Sequence, residues 1–262
     1  MDKVVASAAQ AIEDIQPGAS VAIAGFGLAH RFPNNLIFAL RDKGTTDLTL
    51  VCNSLGAAGE KGQLLVENNQ VKKLVAAFSI RAGMQTEGEK RIAAGTLDVE
   101  LVPQGILVER CRAGGAGIPA FYSPTGVDTD LAEGKDIRYF NGKPHVLEHA
   151  IQVDYAFLSA YRADRAGNVQ FRGGSANFNS AFAKAAKIAI VEVEEIVPVG
   201  EIAPEFVHTQ GCYVDYLVEA KITLEDLGSS ASVSTSKKVD DSRMNMAKRA
   251  LLELRKEIEN LK

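Results

Sequence analysis

Cysteine is scarce in this chain. Cys52, Cys111 and Cys212 are the only three, far apart and odd in number. That spacing argues against a disulfide framework and a cysteine-based zinc site, and it sets the expected location as a reducing, cytoplasmic one. Long apolar runs are also missing. None approaches the roughly 20 residues of a membrane span, so no membrane role is expected. Positive charge is not in excess either: 29 basic residues face 33 acidic ones, for a net charge of -4. Without a basic stripe, nucleic acid is not an expected partner. The opening stretch MDKVVASAAQAIEDI has no apolar h-region and no cleavage site. It is expected to be an amphipathic helix rather than a signal or transit peptide.

What remains suits a soluble α/β domain of ordinary core size. The 262 residues are 46% hydrophobic and 24% charged, close to the globular average. Helix and strand signals alternate. Pro17 and Gly18 stop the first helix, and Ser20 to Ala24 (SVAIA) reads as a buried strand. Gly25-Phe26-Gly27 is the turn after it. Pro33 and Asn34 open a helix, NNLIFALRDK, that Gly44 closes. Strands are expected over Asp47 to Cys52, Lys72 to Phe78, Asp98 to Val102, Asp154 to Ser159 and Ile188 to Val193. Helices are expected over Glu87 to Ala94 and Ala176 to Lys187. This alternation predicts a doubly wound, mostly parallel sheet with helices on both faces.

Composition changes after Ala220. A serine-rich linker is expected over 221–238, with Gly228 to Ser236 at its centre. Beyond it, Ala247, Ala250, Leu251, Leu254, Ile258 and Leu261 form a helical stripe over 239–262.

Four segments are candidates for chemistry. The turn Gly25-Phe26-Gly27 lies between a strand and a helix, where backbone amides favour anions. A dinucleotide fingerprint needs a further glycine where His30 stands, so nicotinamide binding is disfavoured. His145-Val146-Leu147-Glu148-His149 has the letters of an inverted zinc motif. That chemistry needs a helix, whereas GKPHVLEHAI reads as an extended edge segment. On a strand the two imidazoles would stand about 13 Å apart, too far for one metal. Glu192, Glu194 and Glu195 can be paired carboxylates for acid–base work, or polar residues left at a sheet rim; the rim is the expected reading. Finally, Gly105, Gly114, Gly115 and Gly117 follow Gln104 just after an expected strand end, where α/β sheets place ligands. This is expected to be a glycine-rich site loop.

That last segment, PQGILVERCRAGGAGIPAFYSPTG, closely resembles the corresponding stretch of family I CoA-transferase A subunits. Succinyl-CoA:3-oxoacid, acetate and 3-oxoadipate CoA-transferases belong there. DLTLVCNSLG (Asp47 to Gly56), ADRAGNVQFR (Ala163 to Arg172) and ANFNSAFAKAAKIAIVEVEEIVPVGEIAPEFVHTQGCYVD (Ala176 to Asp215) resemble it too. The likeness covers about residues 1–220, in order. The chain departs from the family at 29–33, at 80–87 and at Ser175-Ala176-Asn177-Phe178.

The resemblance implies a doubly wound fold and a two-part enzyme of A and B halves. The nucleophile it implies is a glutamate of the B half in a Glu-Asn-Gly motif. This chain has no such motif; Glu67-Asn68-Asn69 comes nearest and reads as a turn. No catalytic residue is therefore expected here, and activity is expected to need a B-type partner, separate or fused. The implied reaction is ping-pong CoA transfer between an acyl-CoA and a carboxylic or 3-oxo acid. CoA enters as substrate, and no metal or permanent cofactor is implied. Asn53 and Gln104 are expected as polar pocket residues, with Gly115, Ala116 and Gly117 on the pocket wall. Gly25, Phe26 and Gly27 would form a nearby loop. Two alternatives stay open: a hydrolase that opens a ring in a CoA thioester, and a non-catalytic binding module.

The termini also look like a repeat. Asp2, Ala8, Ala11, Ile12, Asp14 and Ile15 align at a constant offset with Asp241, Ala247, Ala250, Leu251, Glu253 and Leu254. The expectation is that 239–262 is the opening helix of a B-type half, met just before its first strand.

Overall fold

Among the described residues 2–15 helix covers only α1 (Ala8–Ala11), capped by the Ser7 side chain. This corrects the expected long amphipathic helix. Lys3 to Val5 instead run beside the last strand of the sheet: Val4 bridges Leu217, and Lys3 Nζ donates to the carbonyls of Gly211 and Val214. These tertiary partners outweigh weak helical periodicity over one short segment. The structure, a computed structural model, describes residues 2–26, 32–56, 61–78 and 86–221. Gly27, and the linker and helix expected over 221–238 and 239–262, lie outside the described residues apart from Lys221.

The chain then alternates as expected. β1 (Ser20–Ile23), α2 (Asn34–Lys43) and β2 (Leu48–Ser54) come first. Gly44 closes α2 in the left-handed region, at φ 72°, a conformation glycine adopts without strain. α3 (Lys61–Glu67) follows, and Asn68-Asn69, with Asn69 at φ 55°, turn the chain directly after Glu67. Next are β3 (Val71–Phe78), α4 (Glu87–Ala93), β4 (Asp98–Leu101) and α5 (Gln104–Gly115). Thr86 and Glu89 form a capping box at the start of α4.

Three strands then make a small antiparallel sheet: β5 (Ala120–Ser123), β6 (Ile137–Phe140) and β7 (Lys143–His149), in the order β5-β7-β6. His145 and His149 thus lie on a strand, four residues apart. The chain returns through β8 (Val153–Asp164), β9 (Val169–Gln170), α6 (Asn179–Ala185), β10 (Ala186–Val197) and β11 (Tyr216–Glu219).

The main sheet has the order β11-β10-β8-β1-β2-β3-β4, with β9 antiparallel to β8 and every other pairing parallel. Each face is buried. Along β1, Ala22 and Ala24 join one core with α5 and α6, while Val21 and Ile23 join the other with α1, α2 and α3. A strand covered on both faces needs apolar side chains at consecutive positions, which is why SVAIA lacks an alternating pattern. Among the described residues no helix is long and apolar enough to cross a membrane.

Candidate functional site

The order of strands reverses at β1. From β1 the chain steps outward through β2, β3 and β4; it then returns to β8 on β1's other side and steps outward through β10 and β11. Such a switch point leaves a crevice at the carboxyl ends of the strands, because the connections depart in opposite directions. A cleft of about 740 Å³ lies there, lined in part by Phe26, Gln104, Gly105, Ser123, Asn177 and Phe178. Phe26 follows β1, Gln104 opens α5 after β4, and Asn177 and Phe178 lead into α6.

Gln104 and Asn53 meet as a pair. Gln104 Nε2 donates to Asn53 Oδ1 at 2.7 Å. Asn53 is buried near the end of β2, so this bond satisfies an oxygen that would otherwise be costly to bury. Asn177 is the second polar anchor. Its Oδ1 accepts from Gly25 N at 3.2 Å and from Phe178 N at 2.6 Å, tying the turn after β1 to the start of α6. Gly25 is at φ 131°, and a Cβ there would collide with the Phe32 ring, so only glycine fits. The sequence marked Asn177 as a departure from the family and not as a site residue. Its neighbours in the sequence do not disclose that its side chain reaches back 152 residues.

The glycine-rich segment is corrected. From Gln104 to Gly115 it is not a loop but helix α5, and two of its glycines, Gly114 and Gly115, pack closely. A Cβ on Gly114 would strike the Ile151 carbonyl oxygen, and one on Gly115 would lie 2.6 Å from Lys184 Cβ of α6. Gly115, Ala116 and Gly117 sit at the far end of α5, eleven or more residues from Gln104. At 1.5 Å per residue that is about 16 Å away. The structure therefore brings together Phe26, Gln104 and the turn at Gly25, with Asn53 behind Gln104, and sets the 115–117 stretch apart from them.

The three glutamates are also rearranged. Glu192 is not at a rim; it is mid-strand in β10 and 3% exposed. Burial pushes its carboxyl up to about 7, against hydrogen bonds from Asn35 and the backbone of Asn34, Asn35 and Leu36. Glu195 pairs with Arg162 at 2.7 Å, and Glu194 with Arg172 at 3.3 Å. Both arginines stack on Tyr161. No group of three or more metal-binding side chains converges among the described residues.

The coenzyme A transferase family model matches residues 5–220. The chain belongs to that family. Within it, the chain corresponds to an A subunit. It is 45% identical over 218 residues to the probable A subunit of the succinyl-CoA:3-ketoacid coenzyme A transferase of Bacillus subtilis, covering 83% of this chain and 90% of that relative. It is 40% identical over 267 residues to the mitochondrial succinyl-CoA:3-ketoacid coenzyme A transferase 2A of Mus musculus, covering 93% of this chain and 51% of that protein. The chain thus spans about half the length of the mouse relative. Among solved structures, glutaconate coenzyme A-transferase of Acidaminococcus fermentans superposes with a TM-score of 0.70 at 27% identity, over 83% of this chain and 75% of that one.

Proposed function

We propose that this chain is the A part of a CoA-transferase that moves CoA between an acyl-CoA and a carboxylic or 3-oxo acid. The switch-point cleft carries the reading, in a chain so close to named A subunits. Its lining offers the amides of Gln104 and Asn177 and the hydroxyls of Ser123 and Thr125. Among the described lining residues Glu109 is the one charged member, and it is paired with Arg112 at 2.7 Å. Such a wall can orient an acyl or acid group.

The nucleophile is then a glutamate of a B half. Its carboxylate attacks the thioester carbonyl, giving a mixed anhydride and CoA thiolate. The thiolate attacks the glutamyl carbonyl, releasing the donor acid and leaving an enzyme–CoA thioester. The acceptor acid reverses both steps. Gln104 holds the acid, and Asn53 fixes the Gln104 amide. Phe26, Phe78 and Leu101 are 41%, 51% and 47% exposed at or just past the carboxyl ends of β1, β3 and β4. They offer the B half an apolar seat beside the cleft.

We also propose that residues 239–262 open a B-type half, reached through the serine-rich linker. The six aligned positions support this, as does an alignment with the mouse relative that extends over 93% of the chain.

The test is turnover by this chain alone and with a B-type partner, using succinyl-CoA and acetoacetate. Acid-dependent formation of acetoacetyl-CoA only in the complex is the expected result. Free CoA released without any acid would favour a hydrolase. A tight complex without turnover would favour a binding module.

A further inference from the structure

Helix α2 has no cap of its own. The residue before it is Pro33, which offers no side-chain acceptor, although the first amides of every helix need acceptors. The acceptor comes from β10. Glu192 Oε2 accepts from Asn35 N at 2.8 Å and from Leu36 N at 3.3 Å, and Oε1 accepts from Asn35 Nδ2 at 2.8 Å. Among the described residues Glu192 takes part in no ion pair. Burying a carboxylate beside neutral donors alone is costly. A serine or asparagine at the cap position would satisfy the same amides more cheaply.

What a local cap cannot do is tie α2 to the sheet. Glu192 lies opposite Ser159 on β8 and Val218 on β11, so its carboxylate fixes the start of α2 against three strands. The chain of contacts runs on from there. Pro33 and Phe32 precede the first turn, and the Phe32 ring lies where a Gly25 side chain would be. Gly25 N is held by Asn177, and the next residue, Phe26, lines the cleft 6.3 Å from the Phe178 ring.

We propose that Glu192 is a positioning residue: it fixes the first turn of α2 and, through Phe32, the Gly25–Phe26 corner of the cleft. The proposal rests on the reading of that cleft as the substrate site. Misplacement of a site wall by about 1 Å can lower rates by about 100-fold.

Three variants of the full chain, assayed with a B-type partner, separate reach from charge. Glu192→Gln keeps the length and an acceptor. Glu192→Asp keeps the charge but withdraws the acceptor by one methylene, and Glu192→Ala removes it. The expected kcat/KM stays within about threefold of the parent for Gln and falls by roughly 10- to 100-fold for Asp and Ala. In the same full chains, amide exchange at Gly25, Phe26, Asn35 and Leu36 should rise for Asp and Ala and not for Gln. Exchange in α5 at Cys111 to Ala113 should stay unchanged. Asp near parental activity with Gln impaired would overturn the proposal, because charge and not reach would then matter. Exchange that is unchanged at Gly25 and Phe26, or raised equally in α5, would overturn it too. If the parent complex has no turnover, the functional reading fails, and the exchange pattern alone decides the positioning role.

Discussion

Three glycines of one helix should respond to alanine in opposite ways. In α5, Gly105 has nothing within 4 Å of an added Cβ. Alanine there gains helix propensity, about 0.5–1 kcal/mol. At Gly115 the added Cβ would lie 2.6 Å from Lys184 Cβ and 2.7 Å from its backbone. Ordinary contact begins at 3.4 Å, so α5 and α6 would have to separate by roughly 0.8 Å in an interior packed like a crystal. Gly114 faces the Ile151 carbonyl oxygen still more closely, and backbone cannot rotate away as a side chain can. Overpacking of this kind costs about 1–3 kcal/mol. In a chain of this size each kcal/mol moves Tm by about 2–4 °C. Thermal unfolding of the full chain should therefore place Gly114→Ala and Gly115→Ala below the parent by roughly 2–12 °C, and Gly105→Ala at or above it. Parental Tm values for the 114 and 115 variants, together with lost substrate binding, would return this segment to a ligand-binding loop.

Glu192 should give stability an unusual pH slope. Its ordinary value is 4.5 and burial raises it to about 7 in the folded chain, so the folded state binds the proton more tightly. The contribution is full below pH 4.5 and is lost as pH rises through 7, about 3 kcal/mol in all; urea titrations should show Glu192→Gln removing this slope, and an unchanged slope would refute the assignment. Gln104→Leu leaves the Asn53 oxygen unpaired and removes a cleft donor. It should lower kcat/KM for the acceptor acid by about tenfold or more, and an unaltered value would remove Gln104 from the site. Burial pushes the Cys52 and Cys111 thiols up to about 12, whereas Cys212 is exposed. A thiol reagent at pH 8 should label Cys212 quickly and the other two only on unfolding; fast labelling of Cys52 would contradict its burial under α2 and α3.

Much of the fold was legible because its signals are local. Periodicity, Pro33 and Gly44 bound α2 to the residue, and an apolar run without alternation marked β1 as covered on both faces. The alternation of strand and helix determined the parallel sheet, and the long matches to the family determined the A-subunit type. Gln104 and Asn53 could be named as candidate polar residues from strand-end position and resemblance, and only the structure pairs them. Tertiary structure decided the rest. It made the glycine-rich segment a helix, since glycine permits close helix contact as readily as it permits a loop, and only the partner at Ile151 or Lys184 distinguishes the two. It shortened the first helix, since Lys3 and Val4 find partners more than 200 residues away. It buried Glu192 and made Asn177 a hub, because a side chain's reach across 150 residues depends on strand order, which no local pattern encodes.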